Sequence, residues 1–448
     1  MSVKVYDFII IGGGIAGLSA LNRIKKNNKT VLCLEAQKEC GGFVKSWNEK
    51  GYTLDYGPTV FLKSYEETFK LVKDIGLEKE IIFNSSEATK RFLCRKKRLV
   101  SVPENPFELL KTRLISNFSK LRLFCEPFVG KYNGDGIETI KEFSRRRFGK
   151  EISEFVMDAM VSGICAGDIS KLEAGALFPR LLEIEKKYRS FLLYLLKYKK
   201  RNLDKSADKN KGINFISFKS GMGAITKRLY TIYKDSIRLD SEVTDIKKNS
   251  SGYEVFVKDE VFLTNKLVFA TPAFVTSKLV RVVDFDLSKL LGDIPYADMV
   301  TLALGYDKKT IEHPLNGFGF LVPRSEKIRL LGALFLASLY PFRAPEGKTL
   351  IKVYVGGVHD LNAISADEKE LCNQVICELS QILSIRSTPE FCKFIRIKDA
   401  IPQYNKGHLM RKRKIYEHLK KHNGLYIVGN YLNGVSVNEA IKSSSEIN

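Results

Sequence analysis

Residues 7–36, with the sequence DFIIIGGGIAGLSALNRIKKNNKTVLCLEA, decide the fold of this 448-residue chain. They open with DFIII, a short apolar run rich in β-branched residues, which is typical of a strand buried on both faces. The turn GGGIAG follows directly, and SALNRIKKN then has the pattern of a helix and TVLCLEA that of a second parallel strand. The order strand, turn, helix, strand predicts a β-α-β unit and therefore an α/β fold.

Glycines at the start of this unit have the spacing of a dinucleotide-binding motif. Gly12, Gly14 and Gly17 form G-x-G-x-x-G between the first strand and the helix, and Glu35 ends the second strand. Glycines let the backbone approach a pyrophosphate, the helix N-terminus attracts its charge, and the acidic side chain binds a ribose hydroxyl. The motif predicts a dinucleotide site but does not separate NAD from FAD, because both cofactors use it.

The composition is that of a folded protein with a strong positive charge. Hydrophobic residues make up 44% and charged residues 28%, which excludes a fibrous or disordered chain, and the length excludes a small binding module. The 73 Lys and Arg exceed the 51 Asp and Glu and give a net charge of +22. This surplus favours anionic lipid or a carboxylate-bearing substrate, and equally a surface that only keeps the protein soluble. Because the sequence contains no recognisable nucleic-acid-binding module, we expect no nucleic acid partner.

The cysteines and the N-terminus indicate where the protein works. None of the eight cysteines forms a C-x-x-C pair, so we expect free thiols in a reducing compartment and no metal site. The first residues have neither the pattern of a secretion signal nor that of a transit peptide, and no apolar run is long enough to span a membrane. We therefore expect a cytoplasmic protein, with peripheral attachment to the inner face of the cell membrane left open.

The rest of the chain divides into segments of different character. Helical spacing dominates from residue 105 onward and ends in residues 186–211, which contain ten Lys or Arg and two Asp and carry a charge of +8. Such a stretch is either a solvated loop or a basic surface that meets lipid headgroups. We expect a discontinuous cofactor-binding domain at 1–80, 212–295 and 415–448, a substrate-binding domain at 81–95 and 296–414, and a helical, membrane-facing insertion at 96–211.

Two later elements favour FAD over NAD. Gly41 and Gly42 follow Glu35 closely in EAQKECGGFVKSW, and GYTLDYGP comes soon afterwards, as in FAD-dependent amine oxidase relatives. Near the end of the chain, Gly429 and Asn430 precede NGVSVNEAI, whose helix start would direct backbone N–H groups toward the electron-rich end of a flavin. Together with the opening motif, these elements predict an FAD site.

Long stretches of the chain resemble the oxygen-dependent, FAD-containing protoporphyrinogen oxidases of the flavin amine oxidase superfamily. The resemblance is carried by SGICAGDISKLEAGALFPRLLEIEKKY, LNGFGFLVPR, LLGALFLASLYPFRAPEG, VYVGG, AIPQYNKGH and GNYLNGVSVNEAI. It covers nearly the whole chain. It implies a Rossmann-like FAD-binding domain, a sheet-containing substrate domain and a helical, membrane-facing insertion.

The resemblance also implies the reaction. Enzymes of this kind oxidise protoporphyrinogen IX to protoporphyrin IX in heme and porphyrin biosynthesis, a six-electron reaction with oxygen as acceptor that forms three hydrogen peroxide. Each of three steps hands a hydride to flavin N5, so the flavin needs an apolar, water-poor pocket, and we assign no catalytic side chain. The absence of a cysteine near NGVSV predicts non-covalent FAD. A peripheral membrane surface is an expected partner, and a homodimer is one expectation for the oligomeric state.

The resemblance assigns the FAD site position by position. The implied residues are Gly12, Gly13, Gly14, Ile15, Ala16, Gly17, Glu35, Ala36, Gly41, Gly42, Phe43, Gly57, Pro58, Thr59, Val60, Val243, Asn430, Val435, Ser436 and Val437. Residues 12–17 and Glu35 would hold the pyrophosphate and ribose, and the Val243 backbone would meet the adenine. Residues 435–437 would close over the flavin ring. Phe43 would stack, because this chain lacks the basic residue that many members of the family carry there.

For the substrate, the resemblance implies Arg91, Gly167, Leu321, Leu334 and Tyr354. Arg91 would pair with a propionate, which suits a permanently charged, fork-shaped guanidinium. The two leucines and the tyrosine would sandwich the macrocycle, and the glycine would leave room beside it. Without the resemblance, the arginine is typical of a surface residue and the leucines and tyrosine of a core.

Three alternatives stay open. Coproporphyrinogen III, with four propionates, is a rival substrate that would suit a more cationic pocket, whereas Arg91 with the apolar Leu321 and Leu334 favours protoporphyrinogen. A different flavin amine oxidase or a carotenoid-type desaturase would share the FAD residues but not residues 162–188. A non-enzymatic basic membrane adaptor on a flavin fold would be colourless, whereas the enzyme would be yellow.

Overall fold

The computed structural model describes residues 5–86, 88–130, 132, 137–195, 197 and 215–447. Its strands are β1 (Val5–Ile11), β2 (Val31–Leu34), β3 (Ser46–Glu49), β4 (Tyr52–Asp55), β5 (Phe61–Leu62), β6 (Ile81–Phe83), β7 (Lys90–Arg95), β8 (Arg98–Ser101), β9 (Phe215–Phe218), β10 (Ile237–Arg238), β11 (Asp245–Lys248), β12 (Tyr253–Val257), β13 (Glu260–Phe269), β14 (Tyr296–Asp307), β15 (Gly317–Leu321), β16 (Gly332–Phe335), β17 (Lys348–Gly356), β18 (Phe391–Pro402) and β19 (Leu425–Ile427).

The helices connect and cover these strands. They are α1 (Ile15–Lys25), α2 (Glu66–Asp74), α3 (Pro106–Lys111), α4 (Asn117–Phe124), α5 (Ile140–Phe148), α6 (Asp158–Cys165), α7 (Ala174–Leu177), α8 (Pro179–Tyr188), α9 (Gly223–Tyr233), α10 (Ala273–Val280), α11 (Phe285–Gly292), α12 (Leu336–Leu339), α13 (Glu368–Leu383), α14 (His408–Leu419) and α15 (Val437–Ser443). A π-helical segment, Ile152–Met157, leads directly into α6.

The first sheet is built on the glycine-rich unit predicted from residues 7–36. Its order is β10-β2-β1-β13-β12-β11, and β19 pairs with the last residues of β13. The pairings among β10, β2, β1, β13 and β19 are parallel, and those of β12 with β11 and β13 are antiparallel. Phe8 and Ile10 pack in one core and Ile9 and Ile11 in another, so β1 is buried on both faces. The predicted α/β, Rossmann-like class is confirmed.

The second sheet has the order β18-β14-β17-β16-β15-β7-β8. Of these pairings, the one between β7 and β15 is parallel and the others are antiparallel. One face packs against α13, where Val353 and Val355 share a core with Leu371. Side chains alternate across a strand, so Leu350 lies on the other face, where it packs with Tyr52 of the β3–β4 hairpin. This second face therefore lies toward the first domain, which is the part of the chain built around the first sheet.

The helices from α3 to α8, which lie between β8 and β9 in the sequence, form a helical cluster. Its core includes Phe143, Val161 and Cys165. Strand β8 lies within the range 96–211 that was predicted to be helical, and helical structure starts at α3. Much of the basic stretch 186–211 lies outside the described residues. In the part of the chain that the structure describes, no helix is both long enough and apolar enough to cross a membrane.

Candidate functional site

The loop after β1 permits a backbone approach that side chains would block. A Cβ atom on Gly17 would lie 2.0 Å from the carbonyl oxygen of Gly12. A Cβ atom on Gly12 would lie 2.8 Å from the carbonyl oxygen of Ala270, and the φ angle of Gly12, +105°, favours glycine. These two glycines therefore let α1 start directly against the end of β1.

The N-terminus of α1 opens onto free space. Gly14 is its N-cap residue, no side chain caps the helix, and its first turn carries no acidic residue. A Cβ atom on Gly14 would meet no heavy atom of the described residues within 4 Å. The first N–H groups of a helix lack intrahelical acceptors, and the helix dipole adds partial positive charge. Donors and space together fit the diphosphate of a dinucleotide.

Glu35 lies at the end of β2, beside the same loop. Its carboxylate accepts hydrogen bonds from the backbone N–H of Gly13 at 2.5 Å and from that of Gln37 at 2.9 Å. The side chain is buried, whereas the neighbouring Ala36 is exposed. These backbone donors orient the carboxylate and leave lone pairs for further donors such as ribose hydroxyls, the role that the sequence predicts for Glu35.

Val243 lies in the segment that runs alongside this acid. The N–H of Ser241 donates to the Glu35 carbonyl at 2.9 Å, which fixes the segment next to β2. The side chain of Val243 is buried in the core of the first domain. Among the described residues, the backbone N–H of Val243 has no hydrogen-bond acceptor, so this group is available to a ligand such as adenine.

The loop that contains Gly41 and Gly42 packs against the glycine-rich loop after β1. The N–H of Gly41 donates to the Gly13 carbonyl at 2.8 Å, and a Cβ atom on Gly42 would lie 3.4 Å from the Cα atom of Gly14. Phe43 is exposed, and its ring stacks on Tyr56 with centroids 6.3 Å apart and 17° between the planes. The loop therefore presents an aromatic surface and no charge at this position.

The turn at residues 57–60 lies directly against Phe43. The N–H of Gly57 donates to the Phe43 carbonyl at 3.1 Å, and a Cβ atom on Gly57 would lie 2.7 Å from that oxygen. The hydroxyl of Ser217 donates to the Thr59 carbonyl at 3.0 Å. Two different parts of the first domain thus hold the turn in place.

The C-terminal segment is held beside the helical cluster. The Tyr404 hydroxyl donates to the Asn430 carbonyl at 2.6 Å, and the side-chain amide of Asn430 donates to the Val435 carbonyl at 3.4 Å. Ser436 caps α15 by accepting from the N–H of Glu439 at 3.2 Å. Helix α15 packs in the same core as α1. The structure therefore brings the two ends of the chain, which carry the predicted FAD residues, to one domain.

Four of the predicted substrate residues share one face of the second sheet. Gly319 of β15 pairs with Arg91 of β7 and with Leu334 of β16. Leu321 pairs with Gly332, which in turn pairs with Tyr354 of β17. Cross-strand partners project to the same side of a sheet. The arginine, both leucines and the tyrosine therefore lie in two neighbouring rows across this face.

Arg91 is exposed at one end of these rows. Its guanidinium carbon lies 5.8 Å from the centroid of the Phe215 ring, which packs 4.4 Å from the ring of Phe318. Phe318 and Val60 both pack against the small core of Ala88, Leu339 and Tyr340, so the aromatic pair beside the arginine and the turn at residues 57–60 contact the same core. Partial desolvation lowers the pKa of Arg91, against the raising effect of Glu104, and Arg91 forms no ion pair with a carboxylate of the described residues. This permanently charged group is free to pair with an anion.

Helix α6 packs over Leu321, and the predicted glycine lies just beyond its end. A Cβ atom on Gly163 would lie 2.2 Å from Cδ2 of Leu321. Gly167 is buried, and a Cβ atom there would lie 2.5 Å from Cδ1 of Leu172 and 2.7 Å from Oε1 of Gln403. The immediate neighbours of Gly167 are therefore protein atoms, and its glycine identity serves packing at this loop.

Sequence reasoning missed four residues of this region: Phe215, Phe318, Gly163 and Lys352. Lys352 lies on β17 between Leu334 of β16 and Ala303 of β14, on the same face as Tyr354. A lysine inside the apolar run TLIKVYVGG is a signal that could have found it. The two phenylalanines and Gly163 carry no such signal, because their roles depend on contacts between distant segments.

The arrangement suits the two-electron oxidation of an apolar substrate next to a bound dinucleotide. Among the described residues, no group of three or more His, Cys, Asp or Glu is placed to hold a metal ion. The open helix N-terminus, the oriented Glu35 and the double glycine loop fit FAD. The adjoining sheet face offers apolar and aromatic side chains with the exposed Arg91 at one end, which fits a flat apolar ligand that carries a carboxylate.

Comparison with known proteins places the chain among flavoproteins. A family model described as flavin containing amine oxidoreductase matches residues 15–446. Mitochondrial protoporphyrinogen oxidase of Nicotiana tabacum is 28% identical, with 97% of this chain and 92% of that protein covered. Coproporphyrinogen III oxidase of Bacillus subtilis is 25% identical over 97% of this chain and 95% of that protein, and that of Staphylococcus aureus is 29% identical over 92% and 91%.

Solved structures share the fold. A crystal structure titled as a putative protoporphyrinogen oxidase from an Exiguobacterium species has a TM-score of 0.85 at 21% identity and covers 100% of this chain and 98% of that one. Reduced UDP-galactopyranose mutase has a TM-score of 0.75 at 15% identity, with 99% and 93% covered. At these identities the likeness extends to the architecture alone.

Proposed function

Because this chain belongs to the flavin-containing amine oxidoreductases, we propose that it oxidises protoporphyrinogen IX to protoporphyrin IX in heme biosynthesis, with oxygen as acceptor. The protein is an FAD-dependent oxidoreductase. The overall reaction consumes three O2 and releases three H2O2 for each porphyrinogen. The observation that carries the substrate proposal is the sheet face that Arg91, Leu321, Leu334 and Tyr354 share.

Each part of the site has a defined task in this reaction. When bound, FAD supplies the two-electron chemistry by accepting the hydride that leaves a meso carbon of the tetrapyrrole. The N-terminus of α1 and Glu35 would hold its diphosphate and ribose. Arg91 binds a propionate and sets the position of the ring, because a guanidinium pairs with a carboxylate through two parallel hydrogen bonds. Leu321, Leu334 and Tyr354 exclude water from the tetrapyrrole faces.

The pKa of Tyr354 fits this apolar role. Burial raises the pKa of its phenol above the ordinary value, so the side chain stays neutral at physiological pH. One pyrrole N–H proton leaves with each hydride and is taken up again when O2 is reduced to H2O2; no side chain of this face is assigned as its carrier. The chain's contribution is therefore position and exclusion of water.

Coproporphyrinogen III is the second candidate, because relatives of both kinds match the chain at similar identity. Its four propionates would require more cations at this sheet face than the two propionates of protoporphyrinogen require. On the described part of this sheet face, Arg91 and Arg98 are exposed cations without an ion pair, with Arg98 at the far edge on β8, whereas Lys393 pairs with Glu49 at 3.0 Å. Leu321 and Leu334 are apolar neighbours that suit the vinyl groups of protoporphyrinogen.

The function is tested by mixing the oxygen-free holoprotein with each porphyrinogen in turn and following bleaching of the visible flavin band. We expect rapid bleaching by protoporphyrinogen IX, and the fluorescent porphyrin after air is admitted. Faster bleaching by coproporphyrinogen III would reverse the substrate choice. No bleaching by either compound, in a preparation that dithionite reduces, would rule out porphyrinogen oxidation.

We further propose that the protein works in the cytoplasm, attached to the inner face of the membrane through its helical cluster. The support is a set of exposed apolar side chains near α3 and α4: Phe107 (64% exposed), Phe118 (79%), Leu121 (62%) and Phe128 (89%). Lys111, Lys120 and Arg122 lie among them in the sequence. Apolar side chains flanked by cations suit the interface of an anionic bilayer.

Liposome flotation tests this attachment. We expect the wild type to float with anionic vesicles, and the double variant Phe118→Ser, Phe128→Ser to bind several-fold less. Phe285→Ser is the matched control, because Phe285 is 61% exposed but lies on α11 of the first domain. Equal flotation of the wild type and the double variant would contradict the proposed surface.

A further inference from the structure

Lys352 is a buried cation on the face that carries the predicted substrate residues. It is 1% exposed and pairs with Leu334 on β16 and with Ala303 on β14. Its ammonium lies 5.6 Å from the centroid of the Tyr354 ring. Lysine is among the residue types least often fully buried, because removing its charge from water is costly. A fully buried lysine therefore calls for an explanation beyond packing.

The ammonium of Lys352 holds the turn beside the second glycine pair. Its Nζ donates to the carbonyl oxygen of Asp55 and to that of Gly57, each at 2.7 Å. Asp55 ends β4, and Gly57 begins the turn at residues 57–60 predicted to line the flavin. A side chain of the second sheet thus fixes the backbone of the first domain where the two domains meet.

The charge of Lys352 is not neutralised by a carboxylate. Asp55 is paired with Arg343, whose Nη1 lies 3.0 Å from Oδ2 of the aspartate, and both side chains are fully buried. The other oxygen of Asp55 accepts hydrogen bonds from Ser46 and from the N–H of Met222. No carboxylate of the described residues lies within ion-pair distance of Lys352, so the buried set carries one positive charge in excess when the lysine is protonated.

The buried surroundings of Lys352 disfavour its protonated form. Burial lowers the pKa of Lys352 to about 8, against the raising effect of Asp55 and with the lowering effect of Arg343. Even a buried ion pair can often be replaced by apolar side chains of similar volume at no cost in stability, and Lys352 has no carboxylate partner. Stability alone therefore does not account for a lysine here. A cation that is costly before the reaction suits a site where negative charge arrives during it.

We propose that Lys352 is a positioning residue that holds the turn at residues 57–60 and stabilises the negative charge gained by the bound flavin when it accepts a hydride. A hydride carries two electrons and one proton, so its transfer adds one negative charge to the acceptor, next to a cation already fixed in a water-poor site. The inference rests on the proposed function only through the placement of the flavin beside this turn, and it does not depend on which porphyrinogen is oxidised.

The midpoint potential of the bound flavin in the holoprotein tests the charge. Lys352→Gln keeps a donor for the carbonyls without a charge, and Lys352→Met removes both. We expect the Gln variant to bind the reduced flavin at least tenfold more weakly relative to the oxidised flavin, which equals a potential lower by about 30 mV for a two-electron couple. Lys352→Arg is expected to keep most of the wild-type potential.

The position is tested separately by the affinity for oxidised FAD. We expect Lys352→Met to bind oxidised FAD several-fold more weakly than Lys352→Gln, because only the Gln variant can still donate to the turn. Lys348→Met is the matched control: Lys348 lies on the same strand at its outer end, with its charge paired to Glu390 at 2.8 Å. Lys348→Met should leave both the midpoint potential and the affinity for oxidised FAD unchanged.

Two results would overturn the inference. One is an unchanged potential in the Gln variant, and the other is an equal shift in Lys348→Met. If Lys352→Met does not fold, the Gln and Arg variants still decide the charge effect. A shifted potential in a protein that oxidises no porphyrinogen would uphold the role of Lys352 and reject the proposed substrate, so the two failures are distinguishable.

Discussion

The Gly14→Asp variant is expected to fold normally and to purify without flavin. Gly14 has an ordinary φ angle of −70°, and a Cβ atom there meets nothing within 4 Å, so the aspartate causes no clash. Aspartate is also a preferred N-cap residue, so helix α1 should gain a few tenths of a kcal/mol. The carboxylate would bind the very N–H groups that face the open space, and it would repel a diphosphate. We expect FAD affinity to fall by about 10³-fold, or roughly 4 kcal/mol.

The measurement is flavin absorbance per protein, together with thermal melting with and without added FAD. Wild type should be yellow and gain stability with FAD, whereas Gly14→Asp should be colourless and gain none. The flavin content of Gly14→Ala should lie between those of the wild type and Gly14→Asp, because the alanine methyl group enters the same space without charge. Gly130→Asp is the control, since a Cβ atom on Gly130 also meets no heavy atom of the described residues within 4 Å and Gly130 lies in the helical cluster. A yellow Gly14→Asp protein would mean that the diphosphate lies elsewhere.

Residues 7–36 were sufficient to predict the first domain, because every determinant of a β-α-β unit is local. A buried β-branched strand, glycines at fixed spacing and an acid at the end of the next strand each act within a few residues. The structure adds what spacing cannot give. Gly42 approaches Gly14 across the loop, and the two ends of the chain meet where α15 packs on α1.

The substrate face could not be derived from the residues alone. Arg91 and Leu321 become neighbours through a parallel pairing of β7 with β15, two strands more than 200 residues apart in the sequence. A bulge at Phe318 shifts the register of that pairing, and no local pattern predicts such a shift. Arg91 is exposed, as an ordinary surface arginine would be, so only its place in the sheet separates the two interpretations.

Lys352 illustrates the opposite case: the sequence shows an unusual charged residue in an apolar strand but does not show what this residue binds. A charge in the middle of an apolar strand predicts either an edge position or a buried partner. The partners here are the carbonyls of Asp55 and Gly57, nearly 300 residues away in the sequence. Backbone acceptors leave no trace in the side-chain pattern, so the sequence could flag the lysine without indicating what it holds.

Arg91→Ala is expected to lower kcat/KM for the porphyrinogen by roughly 10- to 150-fold, the equivalent of about 1.5–3 kcal/mol for a hydrogen bond to a charged group. The loss should appear mainly in KM with kcat little changed, because a propionate far from the reacting carbon is bound equally in the ground state and the transition state. Arg91→Lys should recover part of the loss, since an ammonium keeps the charge but not the fork.

The adjacent residue on β7 provides the control for Arg91. Lys90 is exposed and is the next residue of the same strand, so its side chain projects to the opposite face of the sheet. Lys90→Ala removes the same charge a few ångströms away and should leave KM within a factor of two. If both variants lost affinity equally, the general positive field of this +22 chain would account for porphyrinogen binding. A loss confined to Arg91 that persists at high salt would instead locate the propionate at this guanidinium, because a partly desolvated pair is screened much less than an exposed one.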